Sequence, residues 1–178
     1  MFIPELTTRV SVKVHSDEID EGINRIESDP YLSKCPSIVD ALKKKQEQLT
    51  NLEQPVAKSV AERLQSNQEI IISTKHYITG LMANSVDITE DGSDYLVGNT
   101  ASSVNGFPYP LAIEQGTSSH WVAPITYNAL HWVDGGEDRF SKGHYVSGIE
   151  ADPFVRPSID DTLYDIEEIV SEHVRGLK

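Results

Sequence analysis

The residues best equipped for chemistry are three histidines, His120, His131 and His144, which share a stretch with Glu114, Asp134 and Asp138. Imidazole and carboxylate together form the donor set of a zinc site, and bound zinc would activate water for hydrolysis. Zinc ligands usually come in close pairs, roughly two to five residues apart. Here the histidines are more than ten residues apart, and two of them adjoin tryptophans, Trp121 and Trp132. The spacing is not diagnostic, and no metal or cofactor is expected. The lone thiol, Cys35, adjoins Pro36 near a helix start, where a thiolate is favoured, but no base lies near it in sequence. Glu114 and Glu150 could work as an acid and base pair only if the fold joined them, so Glu114 reads first as a structural hydrogen-bond or ion-pair partner. Arg156, between Val155 and Pro157, reads as a salt-bridging residue that orients the last helix. The chain has no glycine-rich phosphate loop, no dinucleotide fingerprint and no serine in a nucleophile elbow, which points away from an enzyme.

Charge narrows the partners. Fifteen Lys and Arg against twenty-eight Asp and Glu leave a formal charge of -13, a field that repels a phosphate backbone and disfavours sequence-specific nucleic-acid binding. Lys43, Lys44 and Lys45 read as a solvated helix face. A single cysteine fits a reducing compartment, and the sequence carries neither a secretion signal nor a run of about 18 apolar residues that would span a membrane. Cytoplasmic synthesis is expected.

Periodicity supplies the elements that must position these groups. Alternation from Arg9 to His15, with Val10, Val12 and Val14 on one side, predicts a strand. Ile19, Ile23 and Ile26 within Asp17 to Ser28, with acids at the front, predict a first helix. Ile38, Leu42, Leu49, Leu52, Val56, Val60 and Leu64 form one stripe of a long helix that Pro55 kinks or splits. A helical or mixed stretch over Ile70 to Val86 leads into a hairpin around Asp91 and Gly92. Gly98 to Gly148 reads as sheet edges and long loops. Ile159, Leu163, Ile166 and Val170 predict a terminal amphipathic helix, with Asp152 as its cap and Pro153 as its first residue.

Four pieces, taken in order, resemble the head-to-tail joining or tail-completion family of tailed bacteriophages. The first is Thr79-Gly80-Leu81 followed by Asn84-Ser85-Val86, similar to that family's Thr-Gly turn and the serine leading into a strand. The second, Tyr109 to Thr117, matches its aromatic, hydrophobic, Glu, any residue, Gly-Thr signature through Tyr109, Glu114, Gly116 and Thr117. The third runs from Pro124 through Ala129-Leu130-His131-Trp132 and Gly135-Gly136 to Phe140-Ser141-Lys142, and resembles a strand-loop-strand insertion. The fourth, Asp152 to Ile159, resembles the opening of the terminal helix through Pro153, Phe154, Arg156 and Pro157.

The resemblance implies an α+β subunit with a long helix packed on a small antiparallel β-sheet and a C-terminal amphipathic helix. Residues 1–34 form an N-terminal extension of short strand and helix, and 35–178 form the family-like domain. It implies a structural virion protein of the head-tail connector, neck or tail end, in the virion and, during assembly, in the host cytoplasm. Its partners are further copies of itself in a ring and other head, neck or tail proteins, with no membrane contact. An acidic lumen would let DNA pass without sticking. No catalytic residue is implied. Gly116 and Thr117 are expected in a tight turn after a strand, and Pro153 and Phe154 at a helix start anchored in the core. The interface loops are expected at Thr100 to Phe107 and Asp134 to Tyr145. An adaptor or toxin-like module docking through its terminal helix, and a metal-dependent hydrolase, are the competing readings.

Overall fold

The computed structural model describes residues 6–34, 36–76, 80–104 and 106–177. In chain order these form β1 (Thr7–Val10), α1 (Asp17–Ser28), α2 (Pro36–Thr50), α3 (Glu53–Lys75), β2 (Val86–Asp91), β3 (Asp94–Asn99), α4 (Tyr109–Gln115), β4 (His120–Val122), β5 (Leu130–Asp134), β6 (Glu137–Ser141), β7 (His144–Val146) and α5 (Val155–Arg175). Two compact units divide them: the described residues up to Thr100 with those from Val155 onward, and Ala101–Phe154. The chain is α+β, with a long helix, small antiparallel sheets and a C-terminal helix.

In the first unit a three-stranded antiparallel sheet runs in the order β1-β3-β2. The β2-β3 hairpin closes through Gly92 and Ser93, with Gly92 at φ 69°, the left-handed backbone such a two-residue turn needs at its first position. Valine alternation continues to Val14, yet the strand stops at Val10. The register gives the reason: Val10 lies opposite Tyr95, so only Asp94 of β3 is left opposite Ser11 before the Gly92-Ser93 turn, and nothing of the strand remains for Val12 onward. The segment after β1 is instead tied to α3, where the Glu53 carboxylate accepts the Val14 amide at 2.8 Å. Residues Thr7–Val10 thus place part of the 1–34 segment in the main sheet.

The predicted long helix is two helices, α2 and α3, broken at Asn51 and Leu52. Pro55 falls in the first turn of α3, where its missing amide hydrogen would have had no partner within the helix. Helix α3 packs on all three strands and along α5. Its buried face is Val56, Ala57, Val60, Ala61, Leu64, Gln68 and Ile72. On α2 the stripe is displaced by one residue: Val39 is buried and Ile38 is exposed. After α3 the chain turns at Gly80 (φ 74°) and passes through a 3-10 turn, Ala83–Ser85, into β2. Thr79, of the first family-like piece, and Cys35 lie outside the described residues.

The second unit holds the short helix α4 and two two-stranded sheets, β4-β7 and β5-β6, both antiparallel. The expectation of loops here is corrected in two places. Tyr109 to Gln115 is a helix rather than a strand, opened by Pro110 near its start and ended by Gly116 at φ 70°. Asp134 to Tyr145 is not a loop: Gly135 and Gly136, at φ 58° and 85°, make the tight turn between β5 and β6, and the chain then enters β7.

Candidate functional site

Two pieces of the second unit that are distant in sequence are stitched together. The Glu114 carboxylate accepts the Phe154 amide at 2.8 Å, and the Ile113 carbonyl accepts the Asp152 amide at 2.9 Å. The Thr117 amide donates to the Ile149 carbonyl at 2.9 Å, and the Thr117 hydroxyl accepts the Ile149 amide at 3.2 Å. Gly116 is required twice over. Its φ is 70°, and a Cβ there would come within 2.8 Å of the Ala151 nitrogen and the Ile149 oxygen. Gly148 likewise has no room for a Cβ, which would run into the Thr117 carbonyl. The fold therefore joins Glu114, Gly116 and Thr117 to the segment that ends in Phe154, one of the fully buried side chains.

These residues hold backbone in place. Glu114 makes a structural hydrogen bond, as its sequence context implies. Pro153 is exposed, and α5 begins at Val155 rather than at Pro153; just ahead of it the Phe154 amide donates to Glu114 and the Asp152 amide to Ile113. Pro157 stands in the first turn of α5. Arg156 pairs with Asp160 of its own helix at 3.1 Å. Burial holds the Tyr109 phenol above its ordinary pKa.

The histidines go three separate ways. His131 contacts Asp138 at 2.7 Å and stacks on Phe140, which lies directly across the β5-β6 ladder. His120 makes its ring contact with the Ser118 carbonyl at 2.9 Å. His144 lies 5.1 Å from Trp132, ring centre to ring centre. Among the described residues no group of three His, Cys, Asp or Glu is placed to hold a metal.

What this unit offers is apolar surface. Trp121 packs edge-on to Tyr145, with its ring lying over Gly143. Beside them an open cleft of about 770 Å³ is lined by Ala123, Pro124, Ile125, Thr126, Tyr127, Ala129, Leu130, His131 and Phe140. Ile125 is 97% exposed and Tyr127 82%. In the predicted Thr100 to Phe107 region the Ser103 amide donates to the Phe107 carbonyl at 2.9 Å and the Phe107 amide to the Ser103 hydroxyl at 3.1 Å. Within 123–129 the sequence singled out only Pro124 and Ala129, as parts of the third family-like piece; Ile125 and Tyr127 were passed over, although they stand beside the turn-forming Pro124 and Asn128 with no helical or strand period to bury them.

No protein-family model, curated protein or solved structure matches this chain.

Proposed function

We propose that this chain is a structural assembly subunit of a tailed bacteriophage or prophage, part of the connector, neck or tail end, acting through protein-protein contacts. The carrying observation is the inverted burial of the second unit. Its buried side chains include Ala101, Pro110 and Phe154, whereas Trp121, Ile125, Tyr127, Val133, Phe140 and Tyr145 face solvent. Large apolar side chains left in water around one open cleft mark an unmade interface, and two-stranded sheets are marginal until something covers or extends them. The order of the four family-like pieces supplies the class of assembly. The residues of those pieces that can be followed serve as turns, a clasp and a buried anchor, which suits a scaffold role.

The test is joining in extracts that hold phage heads and tails but lack this chain. Added wild-type protein restores joined particles, and Ile125→Asp with Phe140→Asp does not, while circular dichroism of the variant stays native. Failure of wild type to restore joining removes the phage assignment. Full restoration by the double variant removes the cleft from the interface.

A further inference from the structure

The sheet of the first unit rests on α3, and α5 lies along α3. Between the outer edge of β1 and α5 an open groove of about 210 Å³ remains. Val10 and Val12 stand on one side of it, Ile159, Leu163 and Ile166 on the other, with the buried Leu64 at its floor. The two walls are incomplete in different ways. Strand β1 is the outer member of the order β1-β3-β2, so every second amide and carbonyl along it points away from the sheet. Among the described residues no main-chain bond reaches Thr8, Arg9 or Val10 from that outer side. The α5 wall is apolar and unfilled: Ile159 and Ile166 are half-buried and Leu163 is 56% exposed, while the residues α5 buries are Ser158, Thr162 and Ile169. The one charged side chain that lines the groove, Arg9, is already held by Asp91 at 2.7 Å and Asp94 at 3.0 Å. Neither wall therefore offers a free charge to a side chain that enters.

These two walls together specify the occupant. A helix would cover the apolar wall but leave the β1 groups unmet, because its own main-chain groups are bonded within it. An extended strand satisfies both walls: one edge of its backbone pairs with β1, and every second side chain points onto α5. We propose that the groove takes an extended segment of another protein as a fourth strand beside β1, with alternate, uncharged apolar side chains over Ile159, Leu163 and Ile166. Thr8 to Val12 offers a track of roughly 17 Å, enough for about five partner residues, of which roughly two or three face α5. The site belongs to the first unit, and the proposal is independent of the assembly role.

The probe is the fluorophore-labelled peptide acetyl-Thr-Val-Thr-Ile-Thr-Val-Thr-amide, titrated with the full chain and read by anisotropy. It binds, and a peptide of the same composition with its three apolar residues adjacent binds roughly tenfold or more weakly. Successive amides of a strand point to opposite edges, so N-methylation of one alternate set removes binding and methylation of the other set does not. Leu163→Asp, at an exposed position, weakens binding roughly tenfold or more, with circular dichroism and melting unchanged. Hydrogen exchange slows at the amides of residues 8–12 when the peptide is bound. No binding at millimolar peptide overturns the inference, as does equal binding by the two methylated peptides, or binding that Leu163→Asp leaves intact. Light scattering of the free chain covers the other occupant: dimers that Leu163→Asp dissolves would give the groove to a second copy and overturn the assignment to another protein.

Discussion

At the scale of single residues, the strongest constraints are on backbone position. Gly116 combines a left-handed φ with a closely approaching backbone. Gly116→Ala is expected to destabilise the fold by about 1–3 kcal/mol, since both the strain and the clash fall on main chain that cannot step aside. Chemical denaturation of the two proteins measures it, and equal midpoints would show that residues 149–151 are not where the structure puts them. Gln68 is the opposite case. It is fully buried on α3, and neither end of its amide has a partner among the described residues. Replacing it with an apolar side chain of similar volume removes the desolvation cost, so Gln68→Leu is expected to gain about 1–2 kcal/mol, read as a rise in melting temperature of several degrees. A lower melting temperature would mean that the amide is satisfied in solution.

At the scale of elements, β1 is held by a short ladder and one charged fastening. Arg9 reaches Asp91 at 2.7 Å and Asp94 at 3.0 Å, both at the turn end of the β2-β3 hairpin. The hydrogen bond from Arg9 holds the Asp94 carboxyl below the ordinary carboxylate range. A depressed folded-state pKa contributes stability above the unfolded value and loses it as pH falls through the folded one. Asp94→Asn is therefore expected to lower the melting temperature at neutral pH and to converge with wild type as the solution is acidified. Exposure of the pair keeps the effect small. A difference that persisted unchanged in acid would assign it to shape rather than to charge. Asp29 behaves alike for another reason: its carboxylate accepts the Leu32 and Tyr31 amides.

At the scale of the whole molecule, the two units differ in how they spend their apolar residues. The first buries a continuous set from α3, the sheet and α5. The second leaves most of its large side chains in water, a distribution that limits solubility until a partner covers them. Ile125→Asp with Phe140→Asp is accordingly expected to raise the concentration at which the protein precipitates, while its fold stays native. Light scattering during concentration checks this, and earlier precipitation would show that the exposed cleft does not drive association. No helix among the described residues is long and apolar enough to cross a membrane.

The sequence by itself determined what short-range rules decide. Acids at its front and isoleucines at helical spacing marked α1 from Asp17 to Ser28, and Asp91 with Gly92 marked the β2-β3 turn. The tight turn at Gly135 and Gly136 reads in sequence as part of a long loop, because the short strands on either side of it carry no clear alternation. Pro55 foretold the break between α2 and α3. Helix α4 is missed in sequence, where its end at Gly116 reads as a turn after a strand, because at seven residues it is too short for periodicity to declare it. The tertiary structure alone decided where each pattern stops and which face is spent. The β1 alternation outlasts the strand because β3 ends one residue beyond the partner of Val10, at Asp94. The α5 stripe looks like core in sequence, yet the residues α5 buries are Ser158, Thr162 and Ile169, leaving Leu163 and Val170 exposed. The meeting of Glu114 with Phe154, forty residues apart in sequence, has no local signal, because such a bond is set by how the chain returns on itself and not by any spacing along it.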